Sequence, residues 1–151
     1  MSLIETLKAE YADLILPRFA EAEALELGQI LLLKAAGLPV VINIRTSART
    51  LFHAALPGSA PMNDAWARRK SNCALFFHKP SLLVGEENSI KDQDFSAHGL
   101  NAADYADHGG AVPIRVAGCG VVAVATISGL ASREDHRLVI SGLQTLLASG
   151  I

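Results

Sequence analysis

The segment GVVAVATIS, from Gly120 to Ser128, constrains the fold more than any other part of the chain. In an extended strand Val121, Ala123, Ala125 and Ile127 point one way while Val122, Val124 and Thr126 point the other, so neither face is distinctly polar. Such a strand needs cover on both sides. Either helices flank both faces or a second subunit closes one of them. The segment belongs to a run of seventeen uncharged residues, Val116 to Ser132, close to the lower limit for a membrane-spanning helix. Its three glycines and many β-branched residues fit strands joined by a tight turn instead.

The strands around it set the fold class. Val40 to Thr46 alternates Val40, Ile42 and Ile44 with Asn43 and Arg45, and Thr50 to Ala54 follows as its hairpin partner. Val112 to Val116 pairs in the same way with Gly120 to Thr126 around the Ala117, Gly118, Cys119 turn. Helices fill the remainder. Ser2 to Leu14 opens with Ser2 and Glu5 spaced as a capping box. Glu21 to Ala36 carries Leu25, Ile30, Leu32 and Leu33 and ends at Gly37. Further helices are expected over residues 63–78, 82–88, 102–107 and 132–147. Hairpins alternating with helices predict an α+β sandwich: a central antiparallel sheet with helices packed on its faces.

A length of 151 residues corresponds to one domain, 1–151, with room for a substantial core. Fifteen acids against thirteen bases, with no basic block, argue against a nucleic-acid surface. Cys73 and Cys119 are 46 residues apart and read as reduced, packed thiols. The N-terminal residues mix charged and apolar types without a secretory apolar core, so a cytoplasmic protein with no membrane partner is expected. The apolar content of 50%, with only 19% charged residues, makes a homo-oligomer the expected state.

Three places carry candidate chemistry. On the helix after Pro61, the residues Met62, Trp66, Cys73 and Phe76 mark an inward stripe, with Arg69 among them and Asn72 beside it. A guanidinium there either binds a carboxylate or phosphate in bidentate fashion or carries its charge out to water or an acid. In the segment from Ser128 to His136, Ser132 and Asp135 have capping-box spacing, and His136 shares a face with Val139, Ile140, Leu143 and Leu147. Its ring is then directed toward the strand end that carries Ser128, as a base, a ligand or a packed core histidine. His108, followed by Gly109 and Gly110, is either an anion-binding turn or a simple flexible one. Asn43 and Arg45 share the less apolar face of their strand, where His53 joins them if the register allows. No dinucleotide-binding, zinc-protease or serine-hydrolase motif occurs, and the five histidines lack metal-ligand spacing.

The sequences LFHAALPG, NDAWARRKSN, HGGAVPIRVAGCGVVAVATISGL and the following EDH resemble an uncharacterised branch of the haem-degrading-domain superfamily, the GlcG/HbpS-like proteins. The likeness runs along nearly the whole chain. It implies a profilin-like sandwich, a tendency to form homo-oligomers, and haem as a conceivable ligand, because some members of the wider superfamily bind it. With aromatic residues at only 5%, a haem would sit peripherally. The expected function is a small-ligand-binding or sensory domain whose site draws on Arg69, Asn72, His108, Ser128 and His136. One alternative is an acid/base enzyme that uses His136 with Ser128 and Arg69, and another is a pocketless assembly protein.

Overall fold

The computed structural model describes residues 1–151. The elements, in chain order, are α1 (Leu3–Ala12), β1 (Ile15–Leu16), α2 (Glu21–Lys34), β2 (Val41–Arg45), β3 (Thr50–Ala55), α3 (Pro61–Phe77), α4 (Ser81–Lys91), a 3₁₀ turn at Phe95–His98, β4 (Ala111–Val116), β5 (Gly120–Ser128) and α5 (Ser132–Ala148). Local chemistry sets most of these limits. Ser2 and Glu5 form the capping box that opens α1. Glu23 reaches back to the Ala20 amide at 2.8 Å to open α2, and Gly37, at φ +80°, follows its end. Pro61 occupies the first turn of α3, where its missing N–H costs nothing.

The five strands lie in the order β1-β4-β5-β2-β3. Every pairing is antiparallel except that of β1, which runs parallel to β4 for two residues, Ile15 with Arg115 and Leu16 with Val116. The sheet is therefore mixed, not purely antiparallel. So short a strand escapes a periodicity reading, because two residues cannot show alternation. Tyr11 fastens this edge. Its hydroxyl donates to the Pro113 carbonyl at 2.8 Å, and the Arg115 guanidinium lies over its ring at 3.9 Å. Burial pushes the phenol up to about 12, so Tyr11 remains a donor throughout the neutral range.

Helices cover both faces of β5. On one side Ala123, Ala125 and Ile127 join Ile42, Ile44, Val112 and Ile114 beneath Ala24, Leu27 and Leu31 of α2 and Val139, Leu143 and Leu146 of α5. On the other side Val124 and Ala111 pack against Ala74 of α3, and the Ser71 and Thr126 hydroxyls meet at 2.7 Å. The expected alternation holds from Ala123 onward. At Val122 it breaks, because β4 and β5 shift register between Ile114–Ala123 and Arg115–Val121, and the extra residue packs on the same core as Ala123.

Several sequence expectations are corrected. The buried face of α2 is Ala24, Leu27, Gly28 and Leu31, whereas Leu25 and Leu33 are 53% and 81% exposed. Gly28 leaves room for the Phe52 ring, which a Cβ would meet at 2.4 Å, and Gly142 does the same for Leu31 of α2. The expected inward stripe of α3 holds at Cys73 but not at Met62 and Phe76, which are exposed, and Trp66 is half-buried; the other buried positions are Ala67, Lys70, Ser71 and Ala74. Small side chains let α3 settle close on the sheet. Cys73 is buried, and burial pushes its thiol up, but Cys119 is exposed in the β4–β5 turn and is not a packed thiol. Residues 102–107 form no helix.

α4 fixes the segment that leads into β4. A Cβ on Gly85 would lie 2.1 Å from the Asp107 carbonyl oxygen, and Asn88 donates to the Asp107 carboxylate at 3.0 Å. In an exposed helix interior, Gly85→Ala would gain about 1 kcal/mol from propensity. Here overpacking against backbone reverses the sign, and urea denaturation should show a net loss of about 1–3 kcal/mol. A stabilised variant would contradict this packing.

Candidate functional site

A cavity of about 240 Å³ opens at the carboxyl end of β5, between the first turns of α3 and α5. Lys70 and Asp135 form its inner wall. Their side chains are only 5% and 1% exposed and pair at 3.1 Å. The Lys70 ammonium also donates to the Ile127 carbonyl at 3.4 Å. Asp135 accepts from the Gly129 amide at 3.2 Å and the Leu130 amide at 3.0 Å, holding the turn that leaves β5. Burial pushes the Lys70 ammonium down and the Asp135 carboxyl up, and each is opposed by the charge of the other.

Asp135 therefore does not cap α5. The cap position belongs to Ala131, without a side-chain hydrogen bond, and the Ser132–Asp135 spacing that suggests a capping box serves the cavity wall instead. Gly109 and Gly110 are present for closeness more than for flexibility. A Cβ at Gly109 would meet the Ser132 carbonyl oxygen at 2.3 Å. At Gly110, whose φ is +137°, it would meet the Ile127 carbonyl oxygen at 2.3 Å and the Lys70 ammonium at 3.0 Å. The turn thus presses against both the end of β5 and the start of α5. It leaves the exposed His108 ring edge-on to Trp66, with centroids 4.9 Å apart.

The five expected site residues separate into three places. Ser128 and His108 line this cavity, together with Asn63, Trp66, Ser132 and the ion pair. Arg69 and Asn72 do not. The Arg69 guanidinium stacks on Trp66 at 4.6 Å and donates to the Ala102 and Tyr105 carbonyls at 2.9 and 3.3 Å. Asn72 donates to the Asp104 carbonyl at 2.9 Å. Arg69 takes the Ala102 carbonyl, which a helix over 102–107 would have paired with the Ala106 amide, and that amide donates to the Arg69 carbonyl at 3.1 Å instead; together these bonds pin the loop onto α3 ahead of His108. His136 faces α1, in a separate cavity, with its Nε2 2.6 Å from the Glu10 carboxylate. Ser128 and His136 share no cavity, so the convergence required by the acid/base reading is missing.

His53 does reach Asn43, at 3.0 Å, in the register the hairpin allows, and its other nitrogen lies 3.1 Å from Asp64 on α3. This face of the hairpin packs on a helix. Sequence reasoning missed Lys70 and Asp135. The available signal was the spacing Ala67, Lys70, Ser71, Ala74, a stripe of small residues with one cation in it.

The family described as "Haem degrading protein HbpS-like" matches residues 19–144. A UPF0303 protein of Streptomyces coelicolor is 41% identical over 147 residues, covering 95% of this chain and 93% of its own. The crystal structure of the Ybr137w protein superposes with a TM-score of 0.88 at 30% identity, covering 97% of this chain and 88% of that one. A crystal structure titled as a PduOC:heme complex shares the fold, with a TM-score of 0.69 at 15% identity, 87% of this chain and 94% of that one being covered. No helix of this chain is long and apolar enough to cross a membrane.

Two outcomes follow from the buried charges. Lys70→Met leaves the Asp135 carboxylate buried without its cation, which should cost about 3–5 kcal/mol in urea unfolding. A loss no larger than that of an exposed lysine would contradict the pairing. His136 titrates below its ordinary value chiefly because it is buried. The Glu10 contact opposes this shift and the Arg137 charge adds to it. With Nε2–H donating to Glu10, Nδ1 has no partner, so a second proton would create a buried N–H without an acceptor. The unfolded chain takes up that proton near pH 6.5, before the folded one does. Stability should therefore fall as pH drops from about 6.5 through the folded value, and His136→Gln should flatten that slope in unfolding measured across pH.

Proposed function

The chain belongs to the HbpS-like haem-degrading family, and from that premise we propose that it is a small-ligand-binding or sensory domain whose ligand is a compact, oxygen-rich anion held in the cavity beside Ser128. The observation that carries this reading is the donor set around a small space. Asn63, Trp66, Ser128, Ser132 and the Lys70 ammonium line one cavity, with His108 at its mouth and the first turns of two long helices on its sides. Helix N-termini and hydroxyl, amide and ammonium donors favour a carboxylate bearing a further oxygen. Asp135 cancels much of the Lys70 charge, so neutral hydrogen bonding governs selectivity.

The cavity does not fit an enclosed porphyrin. Its volume of about 240 Å³ is below that of ordinary cofactor pockets, and only three of its ten lining residues are hydrophobic. The family's name and the heme complex of the distant neighbour keep haem in view, but on this chain it would rest outside the cavity, near the exposed His108 and Met62. The reading includes a homo-oligomer, supported by Leu25 and Leu33 on the outer side of α2 and by a shallow apolar groove at Leu38, Leu130 and Leu138. It also includes a cytoplasmic location, supported by the mixed charged and apolar residues from Met1 to Ile15.

The test is a calorimetric titration of the purified protein with lactate and with pyruvate, with light scattering giving the subunit number in the same samples. Saturable binding, weakened about tenfold in Ser128→Ala and in His108→Ala, is expected. Equal affinity in both variants would overturn the site assignment. A stoichiometric haemin complex that excludes lactate would overturn the choice of ligand.

A further inference from the structure

A second cavity, of about 250 Å³, lies between α1, α4 and α5, away from Ser128. Leu7, Leu82 and Ile140 give it an apolar floor, each buried to 6% exposure or less. Arg133 and Arg137, one helical turn apart on α5, line it from the solvent side. Both are exposed, and neither forms an ion pair with any carboxylate of the chain, although Lys8 of α1 and Lys79, just before α4, both pair with Glu87. Glu10 is the one acid lining the cavity, and it is engaged by His136 at 2.6 Å. Burial keeps the His136 imidazole neutral at pH 7, so Glu10 retains its charge and offsets one guanidinium; the cavity still carries two cations with no direct carboxylate partner, and a net positive charge, above a hydrocarbon surface.

Two guanidiniums at this spacing repel each other weakly when unpaired, and an anion between them removes that penalty. Their planar donor forks match a carboxylate. A ligand that satisfies both halves of the cavity has one carboxylate and a short apolar tail. We propose that this cavity binds a short-chain monocarboxylate, with its head between Arg133 and Arg137 and its tail against Leu7, Leu82 and Ile140. The small volume sets a limit of several carbons, since a long acyl chain would have to leave the cavity. Each methylene added within that limit should raise affinity about fourfold.

The experiment is a calorimetric titration with butanoate, hexanoate and hexan-1-ol, paired with NMR observation of the His136 imidazole. Hexanoate should bind saturably and more tightly than butanoate, hexan-1-ol should bind at least about tenfold more weakly, and the His136 signals should move. The Arg133→Ala/Arg137→Ala variant changes two exposed helical positions to the best helix former, so it keeps the fold and should lose about tenfold or more in hexanoate affinity. Ser128→Ala should bind hexanoate normally, which separates this cavity from the one beside β5. The proposal is overturned if nothing saturates by about 10 mM, if the alcohol binds as well as the acid, if the double variant keeps its affinity, or if His136 does not respond.

Discussion

The buried pair of Lys70 and Asp135 joins the parts that the cavity is made from. Taking two charges out of water is expensive, and their attraction at 3.1 Å offsets that cost only when the remaining donors and acceptors are used. Here they are used. Asp135 accepts two backbone amides of the turn after β5, and Lys70 donates to the last carbonyl before Ser128. The pair adds little to net stability compared with apolar residues of the same size. What it fixes is geometry: α3 on one face of the sheet, α5 on the other, and the strand end between them.

The two-sided apolar strand makes that arrangement necessary. Because β5 has apolar residues on both faces, α2 and α5 cover one face and α3 covers the other, and the two layers meet only past the strand ends. Beyond Ser128 the sheet stops while α3 and α5 begin, and the gap left there is lined by their first turns. The glycines at 109 and 110 bring the β4 approach into contact with the same corner. Arg69 and Asn72 act one step back, holding the 102–105 carbonyls so that His108 is delivered to the cavity mouth. The same first turns of α5 border the second cavity, so one helix serves polar and amphipathic spaces on its two sides.

Much of the fold could be read in the residues because strong local signals agreed with the tertiary packing. Capping chemistry located the start of α1, glycine the end of α2, and alternation the two hairpins. The α+β class followed from hairpins alternating with helices, and the need for cover on both faces of β5 from its hydrophobic pattern, which left helices and a second subunit as alternatives. The inward stripe of α3 was misread because large apolar residues were taken as core, whereas close approach to the sheet selects Ala67, Ser71 and Ala74 and leaves Met62 outside. The site was only partly legible. Ser128 and His108 lie together, but Arg69, Asn72 and His136 do not join them, since the side-chain bonds that divert them run to residues 32 or more positions away. Asp135 imitated a helix cap, because a carboxylate three residues into a helix has the same sequence spacing whichever amides it accepts.

The claim that the ion pair holds the cavity's geometry is tested most directly by amide hydrogen exchange in Lys70→Met/Asp135→Leu, a pair of apolar replacements that leaves no charge buried alone. The account predicts a folded protein in which the Gly129 and Leu130 amides exchange faster than in the parent chain, while the amides of the β2–β3 hairpin keep their protection. Unchanged protection at Gly129 and Leu130 in the folded variant would show that the turn is held by something other than Asp135, and would contradict the account.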